Sequence, residues 1–364
     1  MNAEHGPLFT RRPHPAPVPA SVRVSMLEDP GFGRIFTDHM ATIRWTQDRG
    51  WHAAEIRPRE PFVLDPASAV LHYAQEIFEG LKAYRLRDGG VALFRPEQNA
   101  RRFQSSAERL AMPVLPEAAF LRAIGELVKA DVEWAPGGDG SLYLRPFMFA
   151  SEAFLGVRPA SQYQFVVIAS PVGAYFKGGK KAVSVWLSAD YTRAAPGGTG
   201  AAKCGGNYAA SLVAQAEAIR HGCDQVVFLD AAERRWVEEL GGMNVFFVFD
   251  DGSMLTPPLG GTILPGVTRD SIIALARRDG QTVRVERYSY DAWRGDAASG
   301  RLREAFACGT AAVVTPIGEI KSAGGGFVIG NGGGGPVAEA LRAKLVGIQR
   351  GEIADEFGWV RRVI

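Results

Sequence analysis

Residues 197 to 212 read GGTGAAKCGGNYAASL, with five glycines around Lys203 and a helix-like run after it. Glycine has no Cβ, so such backbone passes close to something flat and bulky. A phosphate-binding P-loop needs a hydroxyl residue directly after its lysine, and Cys204 stands there instead. A dinucleotide fingerprint needs a third glycine where Lys203 falls, and no strand leads directly in. No G-x-S-x-G elbow and no H-E-x-x-H helix occurs anywhere in the chain. The remaining chemistry is that of the amine itself: a Schiff-base lysine, partly desolvated, that attacks a carbonyl and later moves a proton.

The cofactor most often tied to a lysine in this way is pyridoxal 5'-phosphate, which makes three further demands. A carboxylate must pair with the pyridine nitrogen. RRWVEELGG offers Glu238 and Glu239 at a strand-like entry, where adjacent side chains point to opposite faces, so only one of them faces the ring. The phosphate needs donors: LPGVTRD places Val267 and Thr268 at a helix start, CGTAA places Thr310 in a turn, and Arg102 adds a two-pronged cation. The phenolic oxygen needs a donor near the lysine, and Tyr208 opens the next helix. Each of these residues, taken alone, is also an ordinary loop lysine, solvated carboxylate, snorkelling arginine or packed aromatic.

The elements that must position them are legible in outline. GVALFRP and SQYQFVVIAS read as strands, and EQNARRFQSSAERLAM and PEAAFLRAIGELVKADV as helices, without regular βαβ alternation. SPVGAYFKGGKKAV is the candidate linker. Beyond it we expect a helix over 207–221, the strand DQVVFLD, and a hairpin turning at Asp251-Gly252. A helix from Val267 or Thr268 to the stop at Gly280 follows, then strands TVRVERYS and AAVVTPI and a last helix over 336–350. These give an α+β fold of two domains, expected as a flexible proline-rich arm over 1–20, a smaller domain over 21–170, a linker over 171–183 and a larger domain over 184–364. The stretch 322–336 (SAGGGFVIGNGGGGP) reads as a flexible surface loop.

Composition narrows the partners. The 364 residues are 46% hydrophobic, and 41 basic against 39 acidic side chains nearly cancel, which argues against nucleic acid and anionic membranes and for a small-molecule partner. Cys204, Cys223 and Cys308 lie far apart, with no metal-ligand spacing, so no metal is expected. With no secretory signal and no uncharged apolar run of ~20 residues, the cytoplasm is the default location.

From about residue 25 onward the chain resembles the branched-chain amino acid aminotransferases, fold-type IV enzymes of the class IV aminotransferase family. The resemblance is carried by FTDHM, LHYAQEIFEGLKAYR, LFRPEQNARRFQSSAERLAMP, LYLRPF, GTGAAKCGGNYA, EELGGMNVFFV, TPPLGGTILPGVTRDSI and ACGTAAVVTPI, in that order. It implies two mixed α/β domains with pyridoxal 5'-phosphate in the cleft between them. It makes Lys203 the Schiff-base lysine, Tyr208 the phenolic-oxygen partner, Glu239 the pyridine-nitrogen carboxylate and Arg102 the phosphate arginine, with Val267, Thr268 and Thr310 completing the phosphate cup and Leu264 packing on the ring. The substrate pocket would comprise Phe32, Phe78, Tyr143 and Gly242, with Tyr73, Leu155 and Val157 from the other subunit of a homodimer. Thr310 and Ala311 main chain would hold the α-carboxylate and Arg145 the γ-carboxylate of glutamate.

The implied reaction moves the amino group of L-leucine, L-isoleucine or L-valine to 2-oxoglutarate. Two departures stand out: Gly242 replaces a threonine of some relatives, and Ala312 and Thr315 stand where mammalian relatives carry a CxxC pair. Competing readings are a D-amino acid aminotransferase or aminodeoxychorismate lyase of the same fold, or a non-catalytic binder of a phosphate ligand.

Overall fold

Along residues 8–173 and 182–364, which the computed structural model describes, apolar alternation and helix-start signals lay down two mixed α/β units. One consists of Met1–Tyr175, Ala202–Gly205 and Gly347–Ile364, the other of Phe176–Ala201 and Gly206–Val346. In chain order the first carries β1 (Thr10–Arg11), α1 (Ala20–Glu28), β2 (His39–Thr46), β3 (Gly50–Pro58), α2 (Ala69–Tyr73), β4 (Glu76–Phe78), β5 (Leu81–Arg85), β6 (Val91–Phe94), α3 (Pro96–Arg109), α4 (Glu117–Ala130), β7 (Ser141–Ala150) and β8 (Gln162–Val172). Next come β9 (Val183–Ser188), α5 (Gly205–Arg220), β10 (Gln225–Leu229), β11 (Val237–Leu240), β12 (Asn244–Phe249), β13 (Met254–Thr256), α6 (Val267–Arg278), β14 (Val283–Val285), α7 (Tyr290–Ser299), β15 (Leu302–Gly309), β16 (Val313–Ser322), β17 (Gly325–Val328) and α8 (Pro336–Gln349). The last strand, β18 (Val360–Arg362), belongs to the first unit.

The first unit is built on a sheet ordered β1-β3-β2-β8-β7-β5-β6-β18, with β4 beside β7. Every pairing except β1 on β3 is antiparallel, the arrangement that tight turns such as the one between β2 and β3 permit. Helix α3 starts at Pro96, whose missing N–H costs nothing at a first turn, and α4 starts just after Pro116 with Glu117 in its first turn. Their apolar faces bury Phe103 and Phe120 against Phe165 of β8, with ring centroids 5.4 to 6.0 Å apart. Each such ring contributes about 1.5–3 kcal/mol on leaving water.

The second unit holds a sheet ordered β11-β10-β9-β16-β15-β12-β13-β14, with β17 on β16. Here β9 pairs in parallel with β10 and β16, and β13 with β14, while the rest are antiparallel. Its core packs Phe247 against Tyr288 and Trp293. The hairpin of β12 and β13 turns at Gly252, whose φ of 78° suits glycine. Helix α6 begins at Val267, as its sequence indicates, with Gly266 as N-cap.

Four expectations need correction. Residues 10–20 are not a loose arm: β1 pairs with Glu55 and Ile56, and Val18 N–H donates to Asp38 Oδ1 at 3.0 Å. An edge-strand pairing of two residues leaves no periodic signal in a sequence. The stretch 184–364 is not one unit, because β18 pairs with β6 and residues 202–205 cluster with the first unit. The segment 322–336 contains β17 in a hairpin on β16 and the start of α8, so it is only partly a loop. Pairing along the backbone holds Gly325 and Gly326 there without needing apolar side chains. Of the expected linker, Val172 ends β8 and Val183 begins β9, and residues 174–181 lie outside the described residues.

Candidate active site

Lys203 sits in the irregular step just before α5, with both of its main-chain polar groups bonded. Its N–H donates to Ser106 Oγ at 3.0 Å, and its carbonyl accepts from Phe78 N–H at 2.9 Å. Ser106 lies on α3 and Phe78 ends β4, so two elements fix the lysine's backbone while its amine is placed by its own side chain. That amine stands over the Phe78 ring, 4.8 Å from the centroid. A third tie comes from Gly205 N–H, which donates to Glu76 Oε1. A Cβ at Gly205 would collide with that oxygen, which explains one glycine of the run. Burial raises the Glu76 carboxyl above its ordinary range, against the lowering effect of the Gly205 N–H and Arg145.

Around this lysine the first unit gathers further expected residues. Arg102, on the buried face of α3, forms a two-pronged pair with Glu79: Nε to Oε1 at 2.7 Å and Nη2 to Oε2 at 2.8 Å. Asn99 Nδ2 also donates to Glu79 Oε2, at 2.8 Å. Glu79 is fully buried, which alone would raise its carboxyl. The Arg102 guanidinium, with smaller help from Lys203, holds it below the usual range. Arg145 packs over Phe78 and Tyr143, donates Nη2 to the Tyr143 hydroxyl at 3.1 Å, and has a buried Nε with no hydrogen-bond partner. Phe32 meets Tyr143 edge-on at 5.3 Å. Tyr73, Leu155 and Val157 are exposed on this chain, and the Tyr73 hydroxyl donates to the Leu155 carbonyl.

The second unit carries the other expected groups. Glu239, on β11, is 3% exposed. Its Oε1 accepts from Leu264 N–H at 2.9 Å and lies 2.7 Å from Arg193 Nη2, and its Oε2 accepts from Asn244 Nδ2 at 3.2 Å. Its neighbour Glu238 is also buried rather than solvated, and its Oε1 accepts from the Thr262 hydroxyl at 2.5 Å. Tyr208 stands in the first turn of α5, where a Cβ on Gly242 would lie 3.8 Å from its ring. Val267 and Thr268 form the first turn of α6, and Thr310 and Ala311 the turn between β15 and β16.

Three residues of the arrangement escape a reading of the sequence: Glu79, Arg193 and Asn244. Glu79 stands inside the family-like IFEGLKAY stretch, where nothing local marks it as a partner of Arg102. Arg193 lies in a segment bounded by proline and glycine, with no periodic signal. Asn244 holds the strand β12 to the approach of α6, because its amide donates to the Leu264 carbonyl at 3.0 Å. A Cβ at Gly266 would collide with its Oδ1. No cluster of three or more His, Cys, Asp or Glu side chains able to hold a metal occurs among the described residues.

The first unit thus holds an amine on a pinned backbone and a buried arginine, and the second a helix N-terminus and a buried carboxylate. The family model for amino-transferase class IV matches residues 76–320, and the chain belongs to that family. Within it the chain groups with the branched-chain-amino-acid aminotransferases. It is 56% identical over 364 residues to the enzyme of that name from Mycolicibacterium smegmatis, covering 98% of this chain and 99% of the relative. Among solved structures it is similar to the branched-chain amino acid aminotransferase of Escherichia coli, at a TM-score of 0.73 and 30% identity, covering 89% of this chain and 100% of that one. It is similar also to the branched-chain amino acid aminotransferase of Thermobaculum terrenum in its PLP-form, at a TM-score of 0.70 and 26% identity, covering 88% and 98%.

Proposed function

We propose that this enzyme transfers the amino group of L-leucine, L-isoleucine or L-valine to 2-oxoglutarate, with Lys203 as its catalytic residue and pyridoxal 5'-phosphate as its cofactor. The observation that carries the reading is the lysine step itself: both main-chain polar groups of Lys203 are bonded to different elements, which fixes where its amine emerges. The donor set fits the cofactor. Arg102 and the first turn of α6, with Thr310, suit the phosphate. Glu239 suits the ring nitrogen, Tyr208 the phenolic oxygen, and Leu264 the ring face. The PLP-form of the Thermobaculum terrenum relative supports the same cofactor here.

When bound, the cofactor supplies an aldehyde for the amino group and an electron-accepting ring. Lys203 takes the proton from the substrate α-carbon, a task suited to an amine whose backbone cannot wander. Phe32, Phe78, Tyr143 and Gly242 give an apolar wall for the branched side chain, while the main chain of Thr310 and Ala311 orients the α-carboxylate. Arg145 takes the γ-carboxylate of glutamate and 2-oxoglutarate; its buried Nε without an acceptor supports that role, since such a group gains most from an incoming anion.

The working form is a cytoplasmic homodimer, in which Tyr73, Leu155 and Val157, exposed on the single chain, complete the partner's site. The test is amino transfer from leucine to 2-oxoglutarate by the purified holoenzyme and by Lys203→Ala. Loss of turnover by about a thousandfold or more in the variant is expected, and wild-type turnover would refute the role.

A further inference from the structure

Arg193 is nine-tenths buried and lies within the field of two glutamates adjacent in sequence. Its Nη2 lies 2.7 Å from Glu239 Oε1, donates to the Gly200 carbonyl at 2.9 Å and also donates to the Thr262 carbonyl. A Cβ at Gly200 would collide with that Thr262 oxygen, so a glycine of the lysine-bearing stretch is what lets both carbonyls converge on the guanidinium. The cation is therefore locked by main chain on two sides while it presents itself to one carboxylate.

The two glutamates have opposite surroundings. Glu238 has only the Thr262 hydroxyl on Oε1, its Oε2 is buried without a partner, and burial raises its carboxyl despite Thr262 and Arg193. Glu239 accepts from Leu264 N–H and Asn244 and is paired with Arg193. Arg269 of α6 and Cys308 of β15 also sense Glu239. Burial pushes the Cys308 thiol well above its ordinary range, and Arg269 donates to the Thr256 hydroxyl and the Pro257 carbonyl. The two neighbouring carboxyls therefore differ in their bonding partners: one hydroxyl for Glu238, against a main-chain N–H, an amide and a guanidinium for Glu239.

We propose that Arg193 is a positioning residue for Glu239, a permanent cation that fixes the charge and direction of the carboxylate facing the cofactor's ring nitrogen. The inference rests on the reading of Glu239 given above. Arginine suits the role because it does not lose its proton in proteins, whereas a buried lysine does so readily.

That difference supplies the test. Wild type, Arg193→Gln, Arg193→Lys and Glu239→Gln are each loaded with pyridoxal 5'-phosphate labelled with 15N in the ring. The 15N shift of the bound ring is followed from pH 6 to 10, alongside cofactor affinity and the single-turnover half-reaction with leucine. In wild type the ring nitrogen stays protonated across the range. Arg193→Gln moves the shift towards the unprotonated value and slows the half-reaction about ten- to a hundredfold, the range for groups that orient a ligating side chain, with cofactor affinity changed less. Arg193→Lys restores the protonated shift near neutrality and loses it as pH rises, a transition wild type lacks and a purely structural role would not create.

Wild-type shifts in both Arg193 variants, with Glu239→Gln altered, overturn the inference alone. Wild-type behaviour of Glu239→Gln overturns the underlying assignment and the inference with it. If Arg193→Gln does not fold, the presence or absence of the new transition in Arg193→Lys decides.

Discussion

Each unit of the molecule contains a buried arginine–glutamate pair in which one partner is an expected site residue and the other is not, and the two pairs are built in opposite senses. In the first unit Glu79 offers both oxygens to two nitrogens of Arg102, with Asn99 closing the set. The carboxylate there is the holder, and the arginine is the group proposed to meet the phosphate. In the second unit Arg193 touches one oxygen of Glu239, which also accepts from Leu264 N–H and Asn244. There the arginine is the group proposed to hold, and the carboxylate the group proposed to meet the ring nitrogen. A buried ion pair thus recurs in both units, and in each one partner is proposed to fix the charge of the other. Stability alone does not account for such pairs, since desolvation offsets much of their attraction.

Breaking the first pair gives the largest expected loss. Glu79→Gln leaves Arg102 buried without its carboxylate, and a destabilisation of about 3–5 kcal/mol is expected in chemical denaturation, with weakened cofactor binding. A loss below ~1 kcal/mol would mean that the pair is not held as described. Next is Gly266→Ala, whose Cβ would collide with Asn244 Oδ1. Overpacking of this kind costs about 1–3 kcal/mol, and because Asn244 also serves Glu239, the 15N shift of the bound ring should move too, which ties the effect to the second pair.

Gly80→Ala acts on the substrate side. Its Cβ would collide with the Tyr143 hydroxyl, and displacing that ring disturbs Arg145 and Phe32. The expected result is a rise in KM for 2-oxoglutarate of about tenfold, equivalent to about 1.4 kcal/mol, with a smaller change for leucine. Equal changes for both substrates would count against a separate role for Arg145.

The smallest effect lies far from the chemistry. His39 Nδ1 meets Asp131 Oδ1 at 2.6 Å, and the hydrogen bond to Asp131 raises the imidazole above its ordinary 6.5 despite partial burial. A raised folded value means that the stabilisation is fully present below pH 6.5 and fades as pH climbs through the folded value. The stability gap between wild type and His39→Gln, below ~1 kcal/mol, should therefore be widest in acid and narrow towards alkaline pH in thermal unfolding. A gap that widens with pH would reverse the assignment.

What is legible in the sequence follows the same division between working groups and their holders. Lys203, Arg102 and the glutamate pair stand out because their types suit a chemistry, and α3, α4, α6 and the β12–β13 hairpin carry local signals in Pro96, Glu117, Gly266 and Gly252. Their holders do not stand out. Glu79 meets Arg102 across 23 positions, and Arg193 reaches Glu239 only through the fold. Neither partner has a period or a spacing that marks it. For the same reason the pairing of β18 with β6 and of β1 with β3 is hidden: edge pairings are decided by tertiary geometry, and short strands carry almost no alternation. The choice between Glu238 and Glu239 is open on residue type alone, and the difference in their bonding partners is visible only in three dimensions.

The central claim is that the amine of Lys203 carries the cofactor. Borohydride reduction of the purified holoenzyme, followed by peptide mass mapping, tests it directly. The account predicts the pyridoxyl group on the peptide that contains Lys203 and on no other lysine. Recovery of the group on a different lysine, or an unmodified Lys203 peptide from enzyme that still transfers the amino group of leucine, would contradict it.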